Sequence, residues 1–285
     1  MRIAYHLRFL LKTSYFGQRP DKPFPMSSCP NCEAPLKADF KVCPNCGQKT
    51  HLHRFTLGHI FHEIFHAVTH TDKGILYLVK HMTLYPGVAA REYILENKRK
   101  RYFNPFTFLI LVLGLAVFTN SIFHPYSKRI QDASNEFKTE KKKKVYNKIL
   151  QRQKDAIYFI ETRNNLVTFL ALPIIAFVFW LFFRKTGINY AEHLVANIFF
   201  AGYYSILSIL LSALVLLIPT KTLYLLNYLQ LFVHIVYLTL SYFGFLNYST
   251  PRKYFVTAFA SILAIGSWFI TSALIISIYI ITAII

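Results

Sequence analysis

Acidic residues are what this 285-residue chain has least of among its charges: 13 Asp and Glu stand against 32 Lys and Arg, a formal net charge of +19. Charge of any kind is sparse at 16%, whereas 54% of the residues are hydrophobic, with 27 Phe and 19 Tyr. An ordinary soluble domain is excluded, because so few charges cannot cover so much apolar surface. A cleavable signal peptide is also missing. Met1 to Phe16 alternates apolar and basic groups, Arg8 and Lys12 interrupt the apolar run, and no small-residue cleavage site comes after it. Residues 1–26 read instead as an interfacial helix or disordered leader, with Pro20, Pro23 and Pro25 marking its end. No fixed-period repeat is visible.

Cysteine is scarce, and its placement is informative. All four cysteines fall in two knuckles, Cys29-Pro30-Asn31-Cys32 and Cys43-Pro44-Asn45-Cys46, with Gly47 closing the second turn. Two C-x2-C turns ten residues apart present four soft thiolates, a set suited to one tetrahedral zinc ion in a ribbon over residues 27–49. Four cysteines leave no open coordination position, so the expected role is structural, one ion per chain, and metal binding supplies the folding free energy of so small a unit. A pair of disulfides and an iron site of the rubredoxin type share the spacing. A chain without a cleavable signal favours zinc in a reducing compartment.

Missing again, from every long apolar stretch, are Asp, Glu, Lys and Arg. Five stretches reach the roughly 20 residues that a bilayer crossing takes: Phe106–Phe123, Leu166–Phe183, Leu194–Ile218, Leu223–Leu246 and Phe255–Ile285. The expectation is a mostly α, polytopic helical membrane protein with about five transmembrane helices over 106–285 and a small amino-terminal zinc ribbon. Pro219 to Thr222 makes spans three and four a helical hairpin, Pro173 should kink the second, and Gly266 marks a break or tilt in the overlong last one. Ion-coupled transporters usually keep an ionisable group at mid-membrane, so its absence counts against that class. His234 reads as a neutral side chain hydrogen-bonding a neighbouring helix, and Asn197 and Asn227 as interhelical polar contacts. Glu192-His193 reads as an interfacial pair or, alternatively, a polar gate.

The positive charge gathers beside the spans: 16 Lys and Arg against 7 acids up to Phe103, then 11 against 5 in residues 124–163. Such placement points to anionic lipid head groups and topology rather than to nucleic acid. Residues 50–105 read as basic amphipathic cytoplasmic or interfacial helices. Lys98, Arg99, Lys100 and Arg101 are the expected headgroup contacts, followed by Tyr102-Phe103 at the interfacial belt. Together with Arg91, Arg184-Lys185 and Arg252-Lys253, they favour a cytoplasmic amino terminus and ribbon, with the carboxyl end outside the inner membrane. The loop 124–163, expected to be a basic helix carrying Lys141 to Lys144, disagrees, because it would lie outside.

His62-Glu63-Ile64-Phe65-His66 satisfies H-E-x-x-H, in which two imidazoles one helical turn apart share a zinc ion and the glutamate activates its water. At about 100° per residue, Leu57, Ile60, Phe61, Ile64, Phe65 and Val68 cluster on one face, while His59, His62, His66 and His70 line the opposite one. A solvent- or headgroup-facing histidine stripe is therefore preferred to a protease site. That site would need Glu92 or Glu96 as a third ligand.

The order of these parts resembles a family of bacterial polytopic membrane proteins with an amino-terminal zinc ribbon, catalogued as a domain of unknown function. The matching pieces are the two knuckles with Gly47-Gln48-Lys49, then Asp72-Lys73-Gly74, Tyr85-Pro86-Gly87, Arg91-Glu92-Tyr93, and Lys98 to Tyr102 running to Asn104-Pro105-Phe106. This chain has Asn97 where the resemblance implies a glycine. What the resemblance implies is architecture. The functional expectation is a non-enzymatic protein whose ribbon recruits or positions a protein partner at the membrane, with a homo-oligomer left open. The alternatives are a membrane metalloprotease using His62, Glu63 and His66, and a channel or carrier for an uncharged or lipid-like solute.

Overall fold

The computed structural model describes residues 28–37, 39–50, 54–58, 74–123, 140–213 and 223–282. Their helices are α1 (Ile75–Leu84), α2 (Val88–Ile94), α3 (Pro105–Phe123), α4 (Glu140–Thr162), α5 (Asn164–Phe182), α6 (Tyr190–Ala213), α7 (Leu223–Phe245) and α8 (Pro251–Ile281). Five of them, α3 and α5 to α8, are long and apolar enough to cross a membrane. The fold is mostly helical, with a four-cysteine cluster ahead of this bundle.

Helix α3 begins where the sequence chemistry says it must. Asn104 is its N-cap, with Oδ1 accepting from the backbone N–H of Phe106 at 2.9 Å and of Thr107 at 3.3 Å, and Pro105 takes the first helical position, where no N–H is needed. Asn189 caps α6 in the same way: Oδ1 accepts from the N–H of Glu192 at 2.8 Å, and the Glu192 carboxylate accepts from the N–H of Asn189 at 2.9 Å, a reciprocal capping box. Helix α5 runs through Pro173 and α8 runs unbroken through Gly266. The break considered at Gly266 is thus not there. At 31 residues α8 is about 46 Å long, more than a 30 Å hydrocarbon core requires.

Helix α6 sits centrally, packed on α3, α5 and α7, while α8 packs on α5, α7 and α4. Gly202 makes the α3 contact possible, because a Cβ there would lie 2.7 Å from the Phe108 ring. Across α6 and α7, Asn197 donates to the Tyr242 hydroxyl at 2.6 Å, as expected of an interhelical contact. Asn227 does otherwise. It is exposed on α7, and Gln230, one turn on, makes the bond to α6 instead, donating to Ser212 at 3.0 Å.

Helices α1 and α2 form a hairpin packed into this core, with Leu78, Met82, Ala89 and Ala90 fully buried. The Tyr85-Pro86-Gly87 turn joins them, and Gly87 has φ +82. A Cβ at Gly87 would meet the Ser241 carbonyl oxygen at 1.8 Å, and one at Gly244 would meet the Pro86 oxygen at 2.0 Å. Two glycines therefore let the turn press backbone to backbone against α7. Thr83 and Tyr203 share a 2.7 Å hydroxyl contact roughly 13 residues, or about 20 Å, along α6 from Tyr190.

Candidate metal centre and its seat on the bundle

Each knuckle is a tight backbone turn. Cys29 N–H donates to Ala34 O at 2.8 Å and Glu33 N–H to Cys29 O at 2.8 Å; Cys43 and Gly47 repeat the pattern with Gln48 O and Cys43 O at 2.8 and 2.9 Å. The fourth residue after each leading cysteine is left-handed, Glu33 at φ 62 and Gly47 at φ 70. Only the second carries the glycine that this conformation favours. Isolated bridges between Ser28 and Pro35 and between Val42 and Lys49 close the two loops.

The turns bring the four Sγ atoms within 4.8 Å of one another. Cys29–Cys46 and Cys32–Cys43 are 3.6 Å apart. Zinc–sulfur bonds of about 2.3 Å at tetrahedral angles require sulfur separations of about 3.8 Å, whereas a disulfide requires about 2.05 Å. The cysteines are free, and the set fits a tetrahedral metal ion. The backbone N–H of Ala34 and the Asn45 side chain pull the Cys32 thiol down to about 6, and burial pushes Cys29 up to about 12. A divalent cation among them would bring all four to the thiolate form.

The second knuckle is seated on the turn that leads into α3. Gln48 is 3% exposed, and its Oε1 accepts the Lys100 backbone N–H at 2.8 Å. Below this lies a buried carboxylate, Glu92 of α2. It accepts from Tyr102 OH at 2.7 Å, Arg101 Nη1 at 3.1 Å and Lys98 Nζ at 3.2 Å. Burial alone would raise its pKa, but the phenol and the two cations outweigh burial and hold it below the usual carboxylate value. Lys98 also reaches Glu96 at 2.8 Å, and its pKa is raised by both acids despite burial. The four basic residues expected at lipid head groups therefore divide. Lys98 and Arg101 hold Glu92, Arg99 lies 4.0 Å over the Phe55 ring, and Lys100 is exposed. Asn97, at the position where a glycine was implied, is left-handed with φ 58, which asparagine tolerates better than most residues.

A second carboxylate, singled out in the sequence only as part of Glu192-His193, proves to be buried and to have a partner that sequence reasoning missed. Glu192, 1% exposed, is clasped by Arg54, with Nε–Oε1 at 3.0 Å and Nη2–Oε2 at 2.8 Å. Arg54 also donates to Gly187 O at 2.8 Å, and Asn189 donates to Phe55 O at 3.2 Å. The segment after the ribbon is thereby fastened to the start of α6. Only the capping box was legible locally; Arg54 lies 138 residues away. His193 does not pair with Glu192 but is buried against Tyr242 and Phe245. His59, His62, Glu63, His66 and His70 lie outside the described residues, as do the leader and the 219–222 link. Of the third ligands considered for them, Glu92 is taken up by Lys98, Arg101 and Tyr102, and Glu96 pairs with Lys98 and with Arg91 at 3.3 Å.

Residues 72–117 match a protein-family model described as a protein of unknown function, DUF3667. The match spans α1, the glycine turn, α2, the Glu92 cluster and the first part of α3; the four cysteines precede it. No curated protein and no solved structure gives a significant match to the chain.

Proposed function

We propose that the chain is a non-enzymatic integral membrane protein of the inner membrane in which one structural zinc ion per chain folds a cytoplasmic ribbon, and that the ribbon presents a docking surface to a protein partner. The observation that carries this reading is the seat of the ribbon: Gln48 is buried on the Lys100 backbone, and Arg54 is clamped to Glu192, so the metal-bearing unit is held against one end of the bundle. A recruiting module gains from such fixation, because a partner bound to it is positioned relative to the spans at little further entropic cost. Lys100, the exposed member of the basic turn, supplies an anionic headgroup contact beside it. A site of four thiolates has no position left for a substrate, which is why the metal is assigned a structural role.

Metal analysis and capture test the proposal together. Protein purified from native membranes is expected to hold one zinc per chain and to retain a specific partner. Cys43→Ser should lose both while α3 and α5 to α8 stay inserted. Equal capture of the partner by Cys43→Ser would refute the docking role. A second, chelator-labile zinc per chain, with membrane proteolysis abolished by Glu63→Gln, would establish the metalloprotease instead.

A further inference from the structure

The five spans enclose a cavity of about 270 Å³ to which all of them contribute. It lies in the half of the bundle away from the ribbon: Thr168 is near the start of α5 and Ser212 near the end of α6, both remote from the Arg54–Glu192 clamp. Among the described residues no Asp, Glu, Lys or Arg lines it, yet it is polar. Ser205, Ser208 and Ser212 come from α6 at about one-turn spacing, Gln230 and His234 from α7, and Thr168 from α5.

Polar side chains in a membrane bundle ordinarily meet one another across helices, because hydrocarbon offers no other partner. Here they do so incompletely. Gln230 Nε2 reaches Ser212, and Ser205 donates to its own helix at Ala201 O, 2.8 Å away. His234, expected to bond a neighbouring helix, instead stacks flat on Tyr204 of α6, with ring centroids 3.8 Å apart. Among the described residues, the ring nitrogens of His234, the Gln230 Oε1 and the hydroxyls of Ser208 and Thr168 have no hydrogen-bond partner. At least one donor and several acceptors thus face a space far larger than the roughly 30 Å³ share of one water. Trp268 and Phe269 of α8 and Ile175 of α5 supply apolar walls. Apolar walls with a few convergent polar groups are the make-up of a ligand site, and the volume lies near the lower end of the roughly 300–1,000 Å³ range of such sites.

We propose that this cavity binds a neutral, lipid-soluble molecule carrying a carbonyl or hydroxyl group, which hydrogen-bonds to His234, Gln230 and Ser208 while its apolar body lies against Trp268 and Ile175. An ion is a poor occupant, because none of the described lining residues carries a charge to replace its hydration. The site is independent of the ribbon: it is built from other residues at the other end of the bundle, and it stands or falls separately from partner docking.

The chain has two tryptophans, Trp180 and Trp268, and only Trp268 lines the cavity. In a Trp180→Phe background, purified full-length protein in nanodiscs is titrated with menadione, a diketone that quenches indole fluorescence, and with dioctanoylglycerol, a hydroxyl-bearing diester, as competitor. Saturable quenching of Trp268 is expected. His234→Phe preserves the stack on Tyr204 but removes both nitrogens, and should weaken the apparent affinity at least tenfold. Ser208→Phe fills the space without touching His234, and should abolish saturation while thermal unfolding shows the bundle intact. Relief of quenching by dioctanoylglycerol would place hydroxyl lipids in the same site; menadione saturation without relief would restrict it to diketones. Linear quenching together with no saturable dioctanoylglycerol binding by equilibrium dialysis overturns the proposal, as does saturable binding that neither substitution alters.

Discussion

Glu92 shows how this molecule carries charge inside an apolar framework. Its side chain is 12% exposed and receives a phenol and two cations, so removing its charge takes a carboxylate partner from both half-buried cations, while Lys98 keeps Glu96 and Arg101 keeps the Tyr77 hydroxyl. Glu92→Gln should cost about 3 kcal/mol, the lower end of what breaking a buried pair costs, because Lys98 keeps Glu96. The same cluster gives stability a pH dependence of definite sign. His81 lies beside Tyr102, and burial holds its pKa below the usual imidazole value, Arg101 and Lys98 adding to this while Glu92 opposes it. An unfolded His81 takes up a proton near pH 6.5 that the folded one refuses, so stability should begin to fall as pH drops below about 6.5. Glu92, with its folded pKa depressed, contributes fully above about pH 4.3, and its contribution is lost as pH falls through the lower folded value. Melting temperatures of purified protein from pH 8 to pH 2 should therefore decline in two stages, the second below about pH 4.3. His81→Phe should flatten the first and Glu92→Gln the second; profiles parallel to wild type would rule out this assignment.

The α1–turn–α2 hairpin is the element in which sequence and structure differ most instructively. The cysteine spacing, the five apolar lengths and the Asn104-Pro105 helix start are local signals, and each was legible. The hairpin's place is set by long-range contacts, Gly87 on Ser241 and Thr83 beside Tyr203, which no window of periodicity contains. The glycine turn was recognised, but not what it presses against. Gly87→Ala would combine left-handed strain of about 1–2 kcal/mol with a Cβ overlapping the Ser241 carbonyl. It should unseat the hairpin and lower the melting temperature far more than Gly58→Ala, where a Cβ meets nothing within 4 Å. If the two variants melt alike, the close approach is not part of the native fold. Burial in the bundle also predicts depth. Leu76 and Leu84 are 81% and 58% exposed on the protein surface, yet Thr83 sits about 20 Å along α6, so these leucines should face acyl chains. Leu84→Cys should resist a membrane-impermeant maleimide added to opened vesicles, whereas Lys100→Cys should react, with zinc-loaded wild type as the blank. Equal labelling would mean that α1 lies on the membrane surface.

At the scale of the whole molecule, the contacts sort the helix ends into two faces. Arg54 joins the start of α6 to Gly187, just after α5, and Arg91 donates to Phe245 O at the end of α7 at 3.1 Å. The basic turn Lys98–Arg101, Arg184-Lys185 and Arg252-Lys253 consequently share the ribbon's end of the bundle, and the far ends of α3, α6 and α8 share the other. This grouping was legible from the alternation of the five apolar stretches and the basic residues beside their ends. What one sequence could not show is how the basic segment after α3 is accommodated: α4 packs on α3, α5 and α8, and Arg152 lies 4.6 Å over the ring of Tyr279 near the end of α8. Its cations are thus arranged on a folded helix beside the far face. Basic residues near span ends orient a chain by resisting export, and the ribbon's end has three such groups together with a thiolate site that favours a reducing compartment. The ribbon's end is therefore expected in the cytoplasm and α4 outside. A phosphatase fused after Ile285 should be active, one fused after Thr50 inactive, and Lys144→Cys should react with impermeant maleimide on intact spheroplasts. The reverse pattern, with Lys144→Cys labelled only after lysis and the Thr50 fusion active, would invert the topology and place the four cysteines in an oxidising space, where a disulfide-bonded ribbon would have to replace the zinc site.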